Sequence, residues 1–170
     1  MFFIELLRND VIVASVAAWL LAQVMKFFVA WIVDGKPNVQ RLFGDGGMPS
    51  AHSATVVCMT VMIGHTSGVA SPVFGLAFLV AIIVMHDATG VRREAGKQAR
   101  LLIEVMTTLN GIISEKDKII RRQKLKTMVG HTPMQVFFGA LFGILVATLY
   151  ILVFRVEYSA YLNSVFHKII

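Results

Sequence analysis

Two histidines, each beside a helix start, are the first candidates for chemistry in this chain. The stretch Gly46-Gly47-Met48-Pro49-Ser50-Ala51-His52 ends a glycine pair in a proline, a small hydroxyl residue and an imidazole. Ser50 stands where an N-cap would stand, ahead of an apolar run. The glycines let backbone approach a ligand closely. The N–H groups and dipole of the helix that follows favour an anion. His52 can donate or accept a proton near neutral pH. The second candidate is Gly130-His131-Thr132-Pro133, again a break followed by a capped helix start, with proline at the first helical position. A neutral imidazole can attack a phosphorus centre whose charge cations shield. A second imidazole can protonate the leaving oxygen. The spacing therefore suggests a phosphate site at a membrane surface.

The elements that must position these residues are read from composition. Of 170 residues, 56% are hydrophobic and 15% charged, and the mean hydropathy is +0.72. These values exceed those of soluble domains and indicate an all-α integral membrane helical bundle. A single membrane domain over residues 1–170 is expected, with about four spans at 11–33, 50–67, 72–87 and 132–154. The first apolar stretch is expected to be a retained span, because no small-residue cleavage site follows it. The +6 formal charge comes from clustered basic residues, which suits membrane orientation rather than nucleic-acid binding. Cys58 stands alone in an apolar run, so neither a disulfide nor a metal framework is expected.

Residues 90–130 differ from the spans. Apolar residues at 95, 99, 102, 103, 106 and 109 recur at helical spacing, opposite Arg93, Lys97, Arg100 and Glu104. Asn110-Gly111 reads as the end of this amphipathic helix. Ser114 begins another segment, basic over 116–126, which anionic lipid could hold at the surface. The tail after Arg155 is amphipathic as well. Ten basic residues lie between 90 and 130, against Glu94, Glu104, Glu115 and Asp117, while the turn at 66–72 carries no charge. The positive-inside rule places both termini outside and both long connections, with the helical segment 90–130, in the cytoplasm. Lys26, His52, His86, Asp87 and His131 then gather at one depth on that side. A shared site explains this better than scattered polar packing.

With the residues placed, the chain resembles the divergent branch of the type 2 phosphatidic acid phosphatase and vanadium haloperoxidase superfamily. The resemblance rests on Gly-Gly-Met-Pro-Ser-Ala-His-Ser-Ala at 46–54, His-Asp-Ala-Thr-Gly-Val-Arg-Arg-Glu-Ala-Gly-Lys-Gln-Ala at 86–99 and Gly-His-Thr-Pro-Met-Gln-Val at 130–136. It covers roughly residues 10 to 155. It implies a metal-independent phosphatase in which one histidine attacks phosphorus and a second, in a proline-serine-glycine-histidine motif, protonates the leaving oxygen. By that resemblance His131 matches the nucleophile and His52 the general acid. Ser50 and the Ala51 amide match phosphate ligands, and Lys26 and Arg41 match the basic residues of the first motif. The chain departs from the pattern in four places. Ala51 replaces a glycine, Leu42 rather than proline follows Arg41, and Leu125 stands where an arginine is usual. Lys124, Lys126, Arg92, Arg93 or Lys97 could substitute for that cation. Gln135 stands where the nucleophile's orienting carboxylate would be; its other reading is a capping box with Thr132. Asp87 could supply the carboxylate across the pocket, or pair with Arg92 or Arg93 at a helix end.

The expected function is hydrolysis of a lipid phosphate or pyrophosphate through a phosphohistidine, with no cofactor and no metal. The expected partners are the lipid substrate and the bilayer, with no nucleic acid; a homo-oligomer stays open. The expected location is a bacterial inner (cell) membrane, with the site facing the cytoplasm. The first alternative is a non-catalytic protein of the same fold that binds phosphate or anionic lipid. The second is a transporter or channel using Lys26, His86 and Asp87 as a proton path.

Overall fold

The computed structural model describes residues 2–35, 47–112 and 130–154. Six helices follow in order: α1 Phe2–Leu7, α2 Asp10–Asp34, α3 Ala51–Ser67, α4 Pro72–Thr89, α5 Val91–Ile112 and α6 Pro133–Phe154. Local chemistry sets most boundaries. The Asn9 side chain accepts from Ile12 N–H to start α2, and Gly35, at φ 68°, closes it with its N–H on the Trp31 carbonyl. Ser50 caps α3. Ser71 caps α4, with Pro72 in the first turn, where a missing N–H costs nothing. Helix α5 runs to Ile112, within one residue of the expected end at 110–111.

Helix α3 lies against α2, α4 and α6, and α2 also touches α6. Small residues make this approach close. Ala14, Ala18 and Ala22 form an every-fourth-residue row on α2 and are fully buried, as are Ala54, Cys58 and Met62 on α3. Gly139 and Gly143 do the same for α6. A Cβ at Gly139 would meet the Ser50 carbonyl oxygen at 2.5 Å, and one at Gly143 would run into the Ala54 carbonyl. The register of 139 on 50 and 143 on 54 means that α3 and α6 run parallel. In lipid the packing of small residues replaces the hydrophobic drive between helices. Polar pins add to it. Tyr150 O–H donates to Asp10 Oδ1 at 2.9 Å, and Thr60 Oγ1 donates to the Ala77 carbonyl at 3.3 Å.

Large apolar side chains point outward instead. Trp19, Leu20, Phe28, Ile32, Leu79, Ile83, Leu145 and Leu152 are all exposed, as a bundle solvated by acyl chains requires. Among the described residues, three helical stretches are long and apolar enough to cross a membrane: Asp10–Val33, Pro72–Thr108 and Pro133–Phe154. The second carries α4 on into α5. Helix α3, expected as the second span, has 17 residues and packs at the centre of the bundle against α2, α4 and α6.

Candidate functional site

Four backbone contacts bring the candidate residues to one end of the bundle. Ser50 N–H donates to the Gln135 carbonyl at 3.1 Å, which ties the start of α3 to the start of α6. His131 N–H donates to the Ala88 carbonyl at 2.9 Å, which ties the residue before α6 to the last turn of α4. Gly130, at φ +86°, lies so close to the backbone of Arg92 and Arg93 that a Cβ there would collide with it. Gly47, at φ +111°, lies against the side chain of Lys26: a Cβ at Gly47 would stand 2.9 Å from Lys26 Cγ. Only glycine meets both demands at 47 and at 130. The Met48-Pro49 peptide bond between Gly47 and the cap is cis.

The two imidazoles converge. The rings of His52 and His131 lie 5.8 Å apart between centroids at an interplanar angle of 82°, an edge-to-face contact. They come from positions far apart in sequence and from the starts of two parallel helices. Lys26 and His131 are each 2% exposed, and Ser50 is fully buried. Ser50 Oγ accepts from Ser53 N–H at 3.3 Å and from Ser53 Oγ–H at 3.0 Å, which leaves its own hydroxyl proton to donate. Ala51, in the first turn of α3, is 3% exposed.

Two helix N-termini stand side by side, each the positive end of its helix dipole, although at α6 the capping box engages the Thr132 and Gln135 N–H groups and Pro133 has none. Lys26 adds an ammonium from α2, and His52 and His131 add imidazoles that can be protonated. A charged residue buried in a membrane bundle is costly and marks sites of function. The arrangement is chemically suited to a small oxyanion such as a phosphoryl group. Because the rings are already in edge contact, a phosphoryl group entering between them has to part them.

The remaining expected residues lie around this centre in different ways. Asp87 Oδ2 accepts from Arg92 Nε at 2.6 Å, and both side chains are more than a third exposed. Lys97 Nζ donates to Glu94 Oε1 at 2.6 Å one turn along α5, also in the open. Arg93 is half-buried and supports Gly130 through its backbone. His86 is exposed. Gln135 forms the capping box: its Oε1 accepts from Thr132 N–H at 3.0 Å, and Gln135 N–H donates to Thr132 Oγ1 at 3.3 Å. Arg41, the basic segment 116–126 and the amphipathic tail lie outside the described residues. Among the described residues, no group of histidine, cysteine and acidic side chains could hold a metal ion.

Several participants were not singled out from sequence. Gly139 and Gly143 set the distance between the two catalytic candidates' helices, and Gly139-Ala140-Leu141-Phe142-Gly143 carries the small-residue spacing that would have shown it. The Ala88 carbonyl, which anchors His131, has no sequence signal. Gln23, one turn before Lys26 on α2, holds its Oε1 buried without a hydrogen-bond partner among the described residues.

A model of the family described as the divergent PAP2 family matches residues 7–146. The chain is 40% identical over 147 residues to an uncharacterized membrane protein, YuiD, of Bacillus subtilis (strain 168), an alignment that covers 83% of this chain and 93% of the relative. No solved structure matches the chain significantly.

Proposed function

The chain belongs to the divergent PAP2 family, and from that premise and the geometry at the starts of α3 and α6 we propose that it is a membrane phosphatase acting on a lipid phosphate or pyrophosphate. The observation that carries the reading is the edge contact of His52 with His131 beside buried Lys26. In this reading a ring nitrogen of His131 attacks phosphorus. The bond from phosphorus to the leaving oxygen breaks as His52, protonated, delivers its proton to that oxygen, and the alcohol or lipid phosphate departs. His52, now neutral, takes a proton from water as the water oxygen attacks the phosphohistidine. The P–N bond breaks, and inorganic phosphate leaves. Lys26, the Ser50 hydroxyl and the Ala51 N–H hold the phosphoryl oxygens, and the paired helix N-termini stabilise the charge as it shifts. Arg41, Arg92, Arg93 and Lys97 form the cationic approach on the headgroup side. Asp87 acts through Arg92, and Gln135 holds the helix that carries His131. The lipid tail stays among the outward apolar side chains. In this reading the site faces the cytoplasm of a bacterial inner membrane, an orientation that the charge bias of residues 90–130 supports.

The test is phosphate release from lipid phosphates by detergent-solubilised protein. His131→Asn is expected to release none, and His52→Asn to be slower by roughly 10²–10⁴-fold. Normal hydrolysis by both variants would end this reading. A second reading, a non-catalytic protein that binds phosphate or anionic lipid, is favoured by the capping-box role of Gln135 in place of an orienting carboxylate. Wild-type protein that binds vanadate but releases no phosphate from any lipid phosphate would select it.

A further inference from the structure

Helix α5 leaves an amphipathic face without cover. Its beginning is tied to the bundle: it continues α4 across Gly90, Gly96 is buried, and the backbone of Arg92 and Arg93 bears Gly130. Beyond that point most of the helix stands clear. Val91, Leu101, Leu102 and Val105 are 72%, 61%, 54% and 54% exposed. At 100° per residue Leu102 and Ile103, the latter 37% exposed, share one face with Ala95, Ala99 and Met106, and Arg93, Lys97, Arg100 and Glu104 share the opposite face; Val91, Leu101 and Val105 lie beside Glu94 and Gln98. Between Val91 and Glu104 four basic residues stand against Glu94 and Glu104. The exposed apolar face excludes water as its natural neighbour. The cations on the opposite face exclude the acyl interior.

Position decides what does cover it. Helix α4 is part of a stretch apolar and long enough to cross the membrane, so α5 begins where that span reaches the headgroups. A helix there, with an apolar face and a basic one opposite, meets both phases at once. Its long basic side chains reach the headgroup level while their stems lie along apolar surface. We propose that α5 lies in the membrane surface, with Leu102 and Ile103 in the acyl boundary and Arg93, Lys97 and Arg100 on anionic lipid headgroups. The partner is therefore the anionic leaflet itself. The contact reaches the candidate site through the backbone. Gly130 rests on Arg93 and His131 N–H on the Ala88 carbonyl, so the junction that lipid holds is also the seat of His131. This inference does not depend on whether the protein hydrolyses anything.

The experiment places a fluorophore on single introduced cysteines, Leu102→Cys and Arg100→Cys, both exposed positions; Cys58 is fully buried and escapes labelling. The protein is reconstituted in nanodiscs of phosphatidylcholine with or without phosphatidylglycerol, and the label is quenched by lipids spin-labelled near the headgroup. Quenching several-fold stronger at 102 than at 100, strengthened by phosphatidylglycerol and weakened at 102 by Lys97→Glu only when that lipid is present, supports the proposal. Equal quenching at the two positions, or indifference to phosphatidylglycerol, overturns it. So does absent quenching with cross-linking between copies through residue 102, which would make a second copy the occupant.

Discussion

Replacing Gly139 by alanine is expected to damage the protein at one contact. A Cβ there would stand 2.5 Å from the Ser50 carbonyl oxygen and 3.0 Å from the Cβ atoms of Ser50 and Ser53. Comfortable carbon contacts lie at about 3.5–4.0 Å, so α3 and α6 have to part by roughly 0.5–1 Å. The Ser50 N–H to Gln135 carbonyl bond, now 3.1 Å, crosses the same gap and is stretched. Overpacking of this kind costs about 1–3 kcal/mol. Alanine also gains about 1 kcal/mol of helix propensity over glycine, which would partly hide the loss. Gly75→Ala on α4 serves as the control, because nothing lies within 4 Å of a Cβ built there. Both variants gain the propensity, so the difference between them isolates the collision at about 1–3 kcal/mol. Equilibrium unfolding in detergent reads that difference. Vanadate binding by Gly139→Ala should weaken too, since the two histidines ride on the helices that separate. Equal stability of the two variants would refute the argument that glycine sets this helix spacing.

Other expectations follow from single contacts. Gly47→Ala puts a methyl group 2.9 Å from Lys26 Cγ at a positive φ; vanadate titration should show weaker binding, even if the unfolding midpoint holds. Gln135→Ala removes the capping box of α6 and should lower stability by about 1 kcal/mol. Phosphate release by this variant should stay near wild type, whereas a large loss would restore an orienting role for the amide. Asp87→Asn breaks an exposed pair with Arg92, so unfolding should shift by no more than about 1 kcal/mol.

Helix starts were legible in the sequence because their chemistry is local. Ser50, and Thr132 with Pro133, each announce a cap, and each proves to be one. The convergence of His52 and His131 was legible through topology alone: alternating spans put both at the same end. Which face of each span turns inward was harder to read. These helices are apolar all round, so hydropathy carries no direction, and only small residues such as Ala14, Ala18, Gly139 and Gly143 mark the inner side. Roles of the long cations were illegible for a different reason. Arg92 and Lys97 had carboxylates within one or two turns, and those local pairs are the ones formed. Among the described residues Lys26 is the cation that the fold buries, with Gly47 packed against its side chain.

The most direct measurement is a structure of the protein with vanadate bound. The oxyanion is expected between the starts of α3 and α6, in reach of Lys26, the Ser50 hydroxyl and the His131 ring, with His52 and His131 moved apart from their present 5.8 Å. Vanadate bound elsewhere, with the two rings still in edge contact, would contradict it.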